Sequence, residues 1–259
     1  MKSIKSIYYH NPTPQQLERT VIWLQKKGSR FISIEELYDY VINHRPINER
    51  LVFLSLDDAW RDNLRLIPTI EKYHVPITIF APVEPIASGN YWWEYVAKEE
   101  REYFKLLPYE DFCQRLSMLK GQQHLTRSCM TADEIRTLAK HPLVSIQAHT
   151  LTHPILTSLT EADLQKELRE GKAQLERIIG QRVDYFSYPN GTYSEREVAL
   201  AKDIYKMAFT TDLRYITPQE QVWTLPRIEV TGRYFRDKLK FYNLWPIVRK
   251  VGCWVLHQE

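Results

Sequence analysis

Two carboxylates stand side by side at Asp57 and Asp58, directly after the apolar run from Leu51 to Leu56. Adjacent like charges are costly unless a cation or a shared proton offsets the repulsion. One arrangement divides the labour: Asp58 binds a metal ion, and Asp57 stays free as a general base. The structural alternative makes both residues N-caps of the segment starting near Arg61, a role that suits aspartate. The second chemical stretch is His149-Thr150-Leu151-Thr152-His153-Pro154. Two histidines four apart can offer imidazoles to one ion from a helix face or a tight loop. Pro154 disfavours helical geometry at His153, and the two threonines lower it further, so a loop leaving a strand end is expected. The alternative is a pair of polar loop histidines with no ligand. None of the other histidines, eight in all, forms a pair with this spacing. With Asp58, the two imidazoles form a set that leaves coordination positions open for water and substrate, as in catalytic metal sites. Zinc suits that donor set, and cobalt, nickel or ferrous ion would fit it too.

The run Leu51–Leu56 reads as a strand buried on both faces, as in a parallel sheet. In such folds chemistry collects where the strands end. The flanking pattern alternates strand and helix. Thr13-Pro14-Gln15-Gln16 opens a helix with an apolar stripe at Leu17, Val21 and Leu24, ended by Gly28. Arg30 to Ser33 is a short strand, Ile34 to Asn43 a helix, Asn63 to His74 a helix despite Pro68, and Val75 to Ala81 a strand. Thr131 to Glu134 is a capping box ahead of Ile135 and Leu138, and Leu143 to Ile146 a strand leading to His149. Thr160 to Ile179 is an amphipathic helix, and Arg182 to Tyr188 a strand broken by Pro189-Asn190-Gly191. A helix from Ser194 to Tyr205, a strand from Met207 to Thr211, extended pieces at Val222–Leu225 and Ile228–Val230, and an amphipathic helix from Phe235 to Val251 complete the reading. Residues 82–131 break the rhythm. Around Tyr91-Trp92-Trp93-Glu94-Tyr95 they read as a helical, aromatic insertion, packed onto the barrel or serving as a lid that stacks on sugar rings. The expectation is a single α/β domain over residues 1–259, built as a barrel.

A net charge of +3 is too small to argue for nucleic acid or an anionic membrane surface. The chain is 44% hydrophobic and 26% charged, as expected of a globular protein with a sizeable core. No apolar run approaches the roughly 20 residues of a membrane span. Cys113, Cys129 and Cys253 are scattered, which argues against a disulfide framework or a thiolate metal site. The N-terminus lacks an apolar signal core, so a cytoplasmic location is expected. There is no G-x-S-x-G nucleophile elbow, Walker A loop or G-x-G-x-x-G turn.

Three motifs, in order, make the chain resemble the polysaccharide deacetylases with the NodB homology domain, a carbohydrate esterase family. Ser55-Leu56-Asp57-Asp58-Ala59-Trp60 is similar to the family's T-F-D-D-G-Y, His149-Thr150-Leu151-Thr152-His153 matches H-[ST]-x-x-H, and Ser187-Tyr188-Pro189-Asn190-Gly191 resembles R-x-P-Y-G. Leu225-Pro226-Arg227-Ile228 resembles a segment of the branch that acts in surface-polysaccharide synthesis. The resemblance implies a distorted (β/α)7 barrel and a metal-dependent deacetylase. It makes Asp58, His149 and His153 the metal ligands, Asp57 the general base, and the backbone N–H at Asn190 an oxyanion donor, with Tyr188 and Pro189 at the substrate. The chain departs from the pattern at Ala59 and Trp60, and at Ser187, where the family carries the arginine that orients the base. Arg227 is the candidate to replace it, through a bidentate contact to Asp57; an ordinary barrel-rim salt bridge is the alternative. The histidine that serves the family as general acid has no clear match, and Leu256-His257 reads as tail. Trp60 and Trp223 could flank a pyranose ring, and Asp212 could reach the site or cap a turn. The expected substrate is an N-acetylated sugar, in nucleotide- or lipid-linked form given the missing signal, with zinc as cofactor. A non-catalytic carbohydrate-binding relative and a deacylase of a non-sugar amide are the alternatives. The C-terminal helix from Tyr242 could rest on a membrane surface, though packing on the barrel is expected.

Overall fold

The computed structural model describes residues 3–232 and residue 237. The helix expected over Phe235–Val251 falls, apart from Asp237, outside the described residues, as do Cys253 and Leu256-His257. No helix among the described residues is long and apolar enough to cross a membrane.

One parallel sheet contains β1 (Lys5–Tyr9), β2 (Ser29–Ile32), β3 (Arg50–Asp57), β4 (Ile77–Ala81), β5 (Val144–Ala148), β6 (Tyr185–Ser187), β7 (Met207–Phe209) and β8 (Ile228–Glu229). Its order is β7-β6-β5-β4-β3-β1-β8, with β2 paired to β3 off this path. β1 runs along one edge of β3; β2 and β4 share the other, β2 on Arg50–Phe53 and β4 on Ser55–Asp57. The two ends of the sheet meet. Leu225, just ahead of β8, bridges to Phe209 of β7, and its N–H donates to Ala208 O at 2.9 Å. The same segment then pairs with β1 through Ile228 and Glu229. The result is the distorted barrel that the resemblance implies. Two features distort it: Pro226 interrupts the closing segment, and β5 and β6 share a single pair, Ala148 with Phe186.

Side chains alternate across each strand. Val52, Leu54 and Leu56 of β3, Ile77 and Ile79 of β4, and Val144 and Ile146 of β5 face outward, into a core shared with the surrounding helices. Leu51, Phe53, Phe80, Met207 and Phe209 form a second cluster inside the ring. Burying each such side chain contributes about 1.5–3 kcal/mol. Followed upward, the inward register of β3 passes from Leu51 and Phe53 to Ser55 and Asp57. The apolar floor therefore gives way to polar groups at the strand ends.

Ten helices surround the sheet among the described residues: α1 (Pro14–Lys26), α2 (Ile34–Ile42), α3 (Ile67–Tyr73), α4 (Val83–Ser88), α5 (Trp92–Tyr95), α6 (Arg101–Lys105), α7 (Tyr109–Gln122), α8 (Ala132–Leu138), α9 (Glu161–Ile179) and α10 (Glu195–Ile204). The capping boxes expected at Thr13 and Thr131 form, each with its N3 side chain returning to the cap. The helix expected over Asn63–His74 is split. A 3-10 segment, Arg61–Leu66, precedes α3, and Pro68 lies in the first turn of α3, where its missing N–H costs nothing. Trp60, with no side-chain capping bond, holds the N-cap of the 3-10 segment, so neither Asp57 nor Asp58 caps a helix. Helices α4 to α7 occupy the stretch that interrupts the alternation, and Trp92, Val96, Phe104, Leu107 and Phe112 form a small core of their own there.

Candidate active site

The backbone turns sharply where β3 ends. Asp58 and Ala59 have φ of 75° and 57°, the left-handed region that L-residues enter at a cost of about 1–3 kcal/mol each. Three hydrogen bonds hold this turn: Asp58 N–H to Phe80 O at 2.9 Å, Tyr91 Oη–H to Asp58 O at 2.8 Å, and Met130 N–H to Ala59 O at 3.1 Å. Ala59, where the resembled motif has glycine, is fully buried and keeps the glycine-like turn.

The His149–His153 loop is equally strained, with φ of 70° at Thr150 and 60° at His153. Glu167 of α9 clamps it. Its Oε2 accepts from the N–H groups of Leu151 and Thr152 at 3.0 and 2.9 Å, and its Oε1 accepts from Thr152 Oγ1 at 2.7 Å and Tyr109 Oη at 2.8 Å. One turn further along α9, a Cβ at Gly171 would lie 2.8 Å from the Leu151 nitrogen, so only glycine lets the helix approach this closely. Nothing in the sequence separates Glu167 from the solvent-facing acids of an amphipathic helix.

These two turns bring Asp58, His149 and His153 together. One ligand atom from each lies within 4.8 Å of the others, and all three side chains are buried. Asp58 Oδ1 is 3.6 Å from His149 Nε2 and 3.4 Å from His153 Nε2, too long for hydrogen bonds. The His149 Nδ1–H donates to Ser187 O at 2.7 Å, which leaves Nε2 with its lone pair. Burial pushes both imidazoles down to about 4, so they are neutral near pH 7. Burial also raises the Asp58 carboxyl, against the pull of His153. A carboxylate enclosed by two neutral rings therefore has no cation among them. Asp58 Oδ1 and His153 Nδ1 are buried with no hydrogen-bond partner. Oxygen and imidazole donors left in this state fit a divalent ion, and a second shell is already in place around Asp58 and His149. Trp60 belongs to that shell: its Nε1–H donates to Asp58 Oδ2 at 3.2 Å.

Asp57 stands beside this group in a different environment. Arg227 holds it bidentately, Nη1 to Oδ1 at 2.7 Å and Nη2 to Oδ2 at 2.8 Å. The guanidinium also donates to Ser55 Oγ at 3.1 Å, Ser187 Oγ at 2.7 Å and Thr210 O at 3.1 Å, so all five of its N–H groups are used. Its carbon lies 4.4 Å from the Tyr8 ring centroid. Fully buried, this is no rim salt bridge. Ser187 in place of an arginine supplies both the room and an acceptor for Arg227. Burial would raise the Asp57 carboxyl, but Arg227 outweighs it and holds the group below the ordinary aspartate value.

A cavity of about 700 Å³ opens over these groups, lined by Asp57, Asp58, His149 and His153 together with Trp60 and Asn190. Asn190 has φ of 56° in the turn Pro189–Gly191. Three residues expected at the substrate do not line the cavity. Tyr188 is fully buried, with its Oη–H on Trp223 O at 3.1 Å, and Pro189 is buried beside it. The Trp223 indole donates to Tyr205 O at 3.0 Å and lies under Lys202, against the outer helix layer. Asp212 lies near Tyr193 and Arg214 and does not line the cavity, although its neighbour Thr211 does. Tyr8 and His10 at the end of β1, which the sequence left unmarked, do line it, as do Trp92 and Trp93 of α5, from the aromatic insertion that the sequence offered as packing or a lid. The signal for the first pair was the alternation Ile4, Ser6, Tyr8 of a short N-terminal strand. The Trp93 ring meets His153 edge-on at 4.8 Å, and Trp92 Nε1–H donates to His153 O at 3.1 Å.

The polysaccharide deacetylase family profile matches residues 44–207. YxkH of Bacillus subtilis (strain 168) is 23% identical over 219 residues, which cover 84% of this chain and 64% of that protein, so the chain spans just under two thirds of that relative. The poly-beta-1,6-N-acetyl-D-glucosamine N-deacetylase of Staphylococcus epidermidis (strain RP62A) is 21% identical over 245 residues, 92% of this chain and 74% of that protein. Among solved structures, IcaB from Ammonifex degensii superposes with a TM-score of 0.70 at 17% identity, covering 94% of this chain and 98% of that one. Streptococcus pyogenes deacetylase PplD, solved with acetate, superposes with a TM-score of 0.68 at 18% identity, covering 90% and 93%. At these identities the structures speak for the fold, the distorted barrel of the deacetylases, while the profile match covers more than half of the chain: it belongs to the polysaccharide deacetylase family.

Proposed function

We propose that this protein is a metal-dependent hydrolase that removes an N-acetyl group from a sugar in surface-polysaccharide synthesis. The observation that carries the reading is the pairing of two unlike carboxylates. Asp58 faces two neutral imidazoles with a bare oxygen, and Asp57, next in sequence, is fixed by Arg227 and kept ionised. The activity named for the Staphylococcus epidermidis relative agrees with it.

Asp58, His149 and His153 would hold the ion, zinc by donor type. A divalent ion there supplies a Lewis acid and lowers the pKa of a water that it binds. Asp57 accepts the proton from the attacking water, with its carboxylate aimed by the Arg227 fork. The backbone N–H at Asn190, a residue on the cavity lining, would donate to the developing oxyanion. The departing amine needs a proton, and His10 is placed to give it. Its ring lies on the cavity, edge-on to Tyr8 at 5.5 Å, and its carbonyl accepts from Asn63 Nδ2 at 3.2 Å. Apart from the ligand pair, His10 is the one imidazole on that wall among the described residues.

The test is acetate release from N-acetylated oligosaccharides by zinc-loaded protein, with His10→Ala beside it. Release that depends on zinc and falls about a hundredfold in His10→Ala supports both assignments. Stoichiometric zinc without acetate from any N-acetyl sugar would leave a carbohydrate-binding relative instead.

A further inference from the structure

The outer wall of the cavity is cationic. The 3-10 turn Lys98–Glu100 runs into α6, so Lys98, Arg101, Glu102 and Lys105 recur at helical spacing on one face, and all four line the cavity that holds the metal ligands. Phe104 fixes that orientation, because it is 5% exposed in the small core with Trp92 and Phe112. Glu102 accepts from Lys105 Nζ at 2.7 Å, which offsets one charge. Among the described residues neither Lys98 nor Arg101 is ion-paired, and Arg101 Nε–H is anchored on Val96 O at 3.3 Å. The remaining acids on the cavity are already matched, Asp57 by Arg227 and Asp58 by its ligand role.

A neutral acetamido sugar has nothing to set against this excess of positive charge. A phosphate does, since a guanidinium fork and an ammonium are the two side-chain groups that proteins use on phosphoryl oxygens. We infer that the substrate is a phosphorylated N-acetylamino sugar, its phosphate held by Lys98 and Arg101 while its acetamide reaches the metal ligands. This rests on the reading of the site as one that acts on an acetylated sugar. It adds the charge that the substrate must carry.

Binding by zinc-loaded Asp57→Asn protein separates the two ideas, because it needs no turnover. N-acetylglucosamine 1-phosphate is expected to bind at least about tenfold tighter than N-acetylglucosamine at low ionic strength, with the advantage shrinking as salt is added. Adding Lys98→Glu and Arg101→Glu removes the advantage without changing zinc stoichiometry. UDP-N-acetylglucosamine and a prenyl-diphosphate N-acetylglucosamine, titrated in parallel, identify a nucleotide or a lipid as the phosphate's source by the tighter of the two. Equal affinity for phosphorylated and neutral sugar overturns the inference. So does an advantage that survives in the doubly charge-reversed protein, since the phosphate would then sit on the zinc. Acetate release by wild-type protein from neutral sugars, alongside equal affinities, would leave the deacetylase reading standing. A phosphate preference without acetate release from any substrate would remove that reading alone.

Discussion

Arg227→Met is expected to destabilise the protein by about 3–5 kcal/mol, the cost of stranding one partner of a buried ion pair. The substitution leaves the Asp57 carboxylate buried, with Ser55, Ser187 and Thr210 also deprived of their donor. The pH dependence follows from the direction of the Asp57 shift. In the wild type its folded pKa is depressed. The pair's contribution is thus fully present above the unfolded value of about 4 and is lost only as pH falls through the lower folded value. Without Arg227, burial loses its main opponent and the folded pKa is expected to rise above the ordinary one. The sign reverses: the deficit of the variant is largest at high pH and shrinks as pH falls. The same change moves the acidic limb of kcat/KM upward, because the base protonates earlier. Arg227→Lys keeps a charge but not the five-donor fork, and is expected to fall between the two. Urea midpoints from pH 5 to 8, with a pH–rate profile, check this. A deficit under about 1 kcal/mol with an unchanged profile would reduce Arg227 to an ordinary core residue.

The second large effect separates the two neighbouring aspartates. Asp57→Asn is expected to lower kcat about a thousandfold through loss of the base, while one zinc stays bound. His149→Ala is expected to lose both, because it removes a ligand that Ser187 O holds in the correct tautomer. Metal content after gel filtration, with acetate release, reads both variants. Removal of the ion by a chelator should lower the melting point, since binding at a hundredfold excess over Kd contributes about 2.7 kcal/mol. An active Asp57→Asn, or a His149→Ala that retains zinc and turnover, would undo the assignment.

The convergence of Asp58, His149 and His153 was legible because two histidines four apart are a spacing few folds need, and because the two aspartates carry a repulsion that demands an explanation. Arg227 was legible through a gap: with Ser187 where an arginine was expected, Asp57 needed another cation, and Leu225-Pro226-Arg227 supplied the candidate. Much of the wall was not legible. A strand residue changes face with a shift of one position, so Tyr188 and Trp223 could not be placed inside or outside the barrel without the register that β7 and Leu225 set. Trp60, expected at a sugar ring, does line the cavity, and its indole N–H also reaches back to Asp58. Glu167 depends on a contact between elements far apart in sequence, Tyr109 with Glu167, and the cationic face of α6 on how Phe104 packs against Phe112 of the next helix. The β-strand at Lys5–Tyr9 was too mixed in polarity to declare itself, and Tyr8 and His10 were missed with it.

The central claim concerns where a single ion sits, and anomalous diffraction from a zinc-soaked crystal measures that directly. One peak is predicted within about 2.0–2.2 Å of an Asp58 oxygen and of one nitrogen each from His149 and His153, with Asp57 uncoordinated beside it. A peak at Asp57, or no peak between these three side chains at zinc concentrations that saturate binding in solution, would contradict the account.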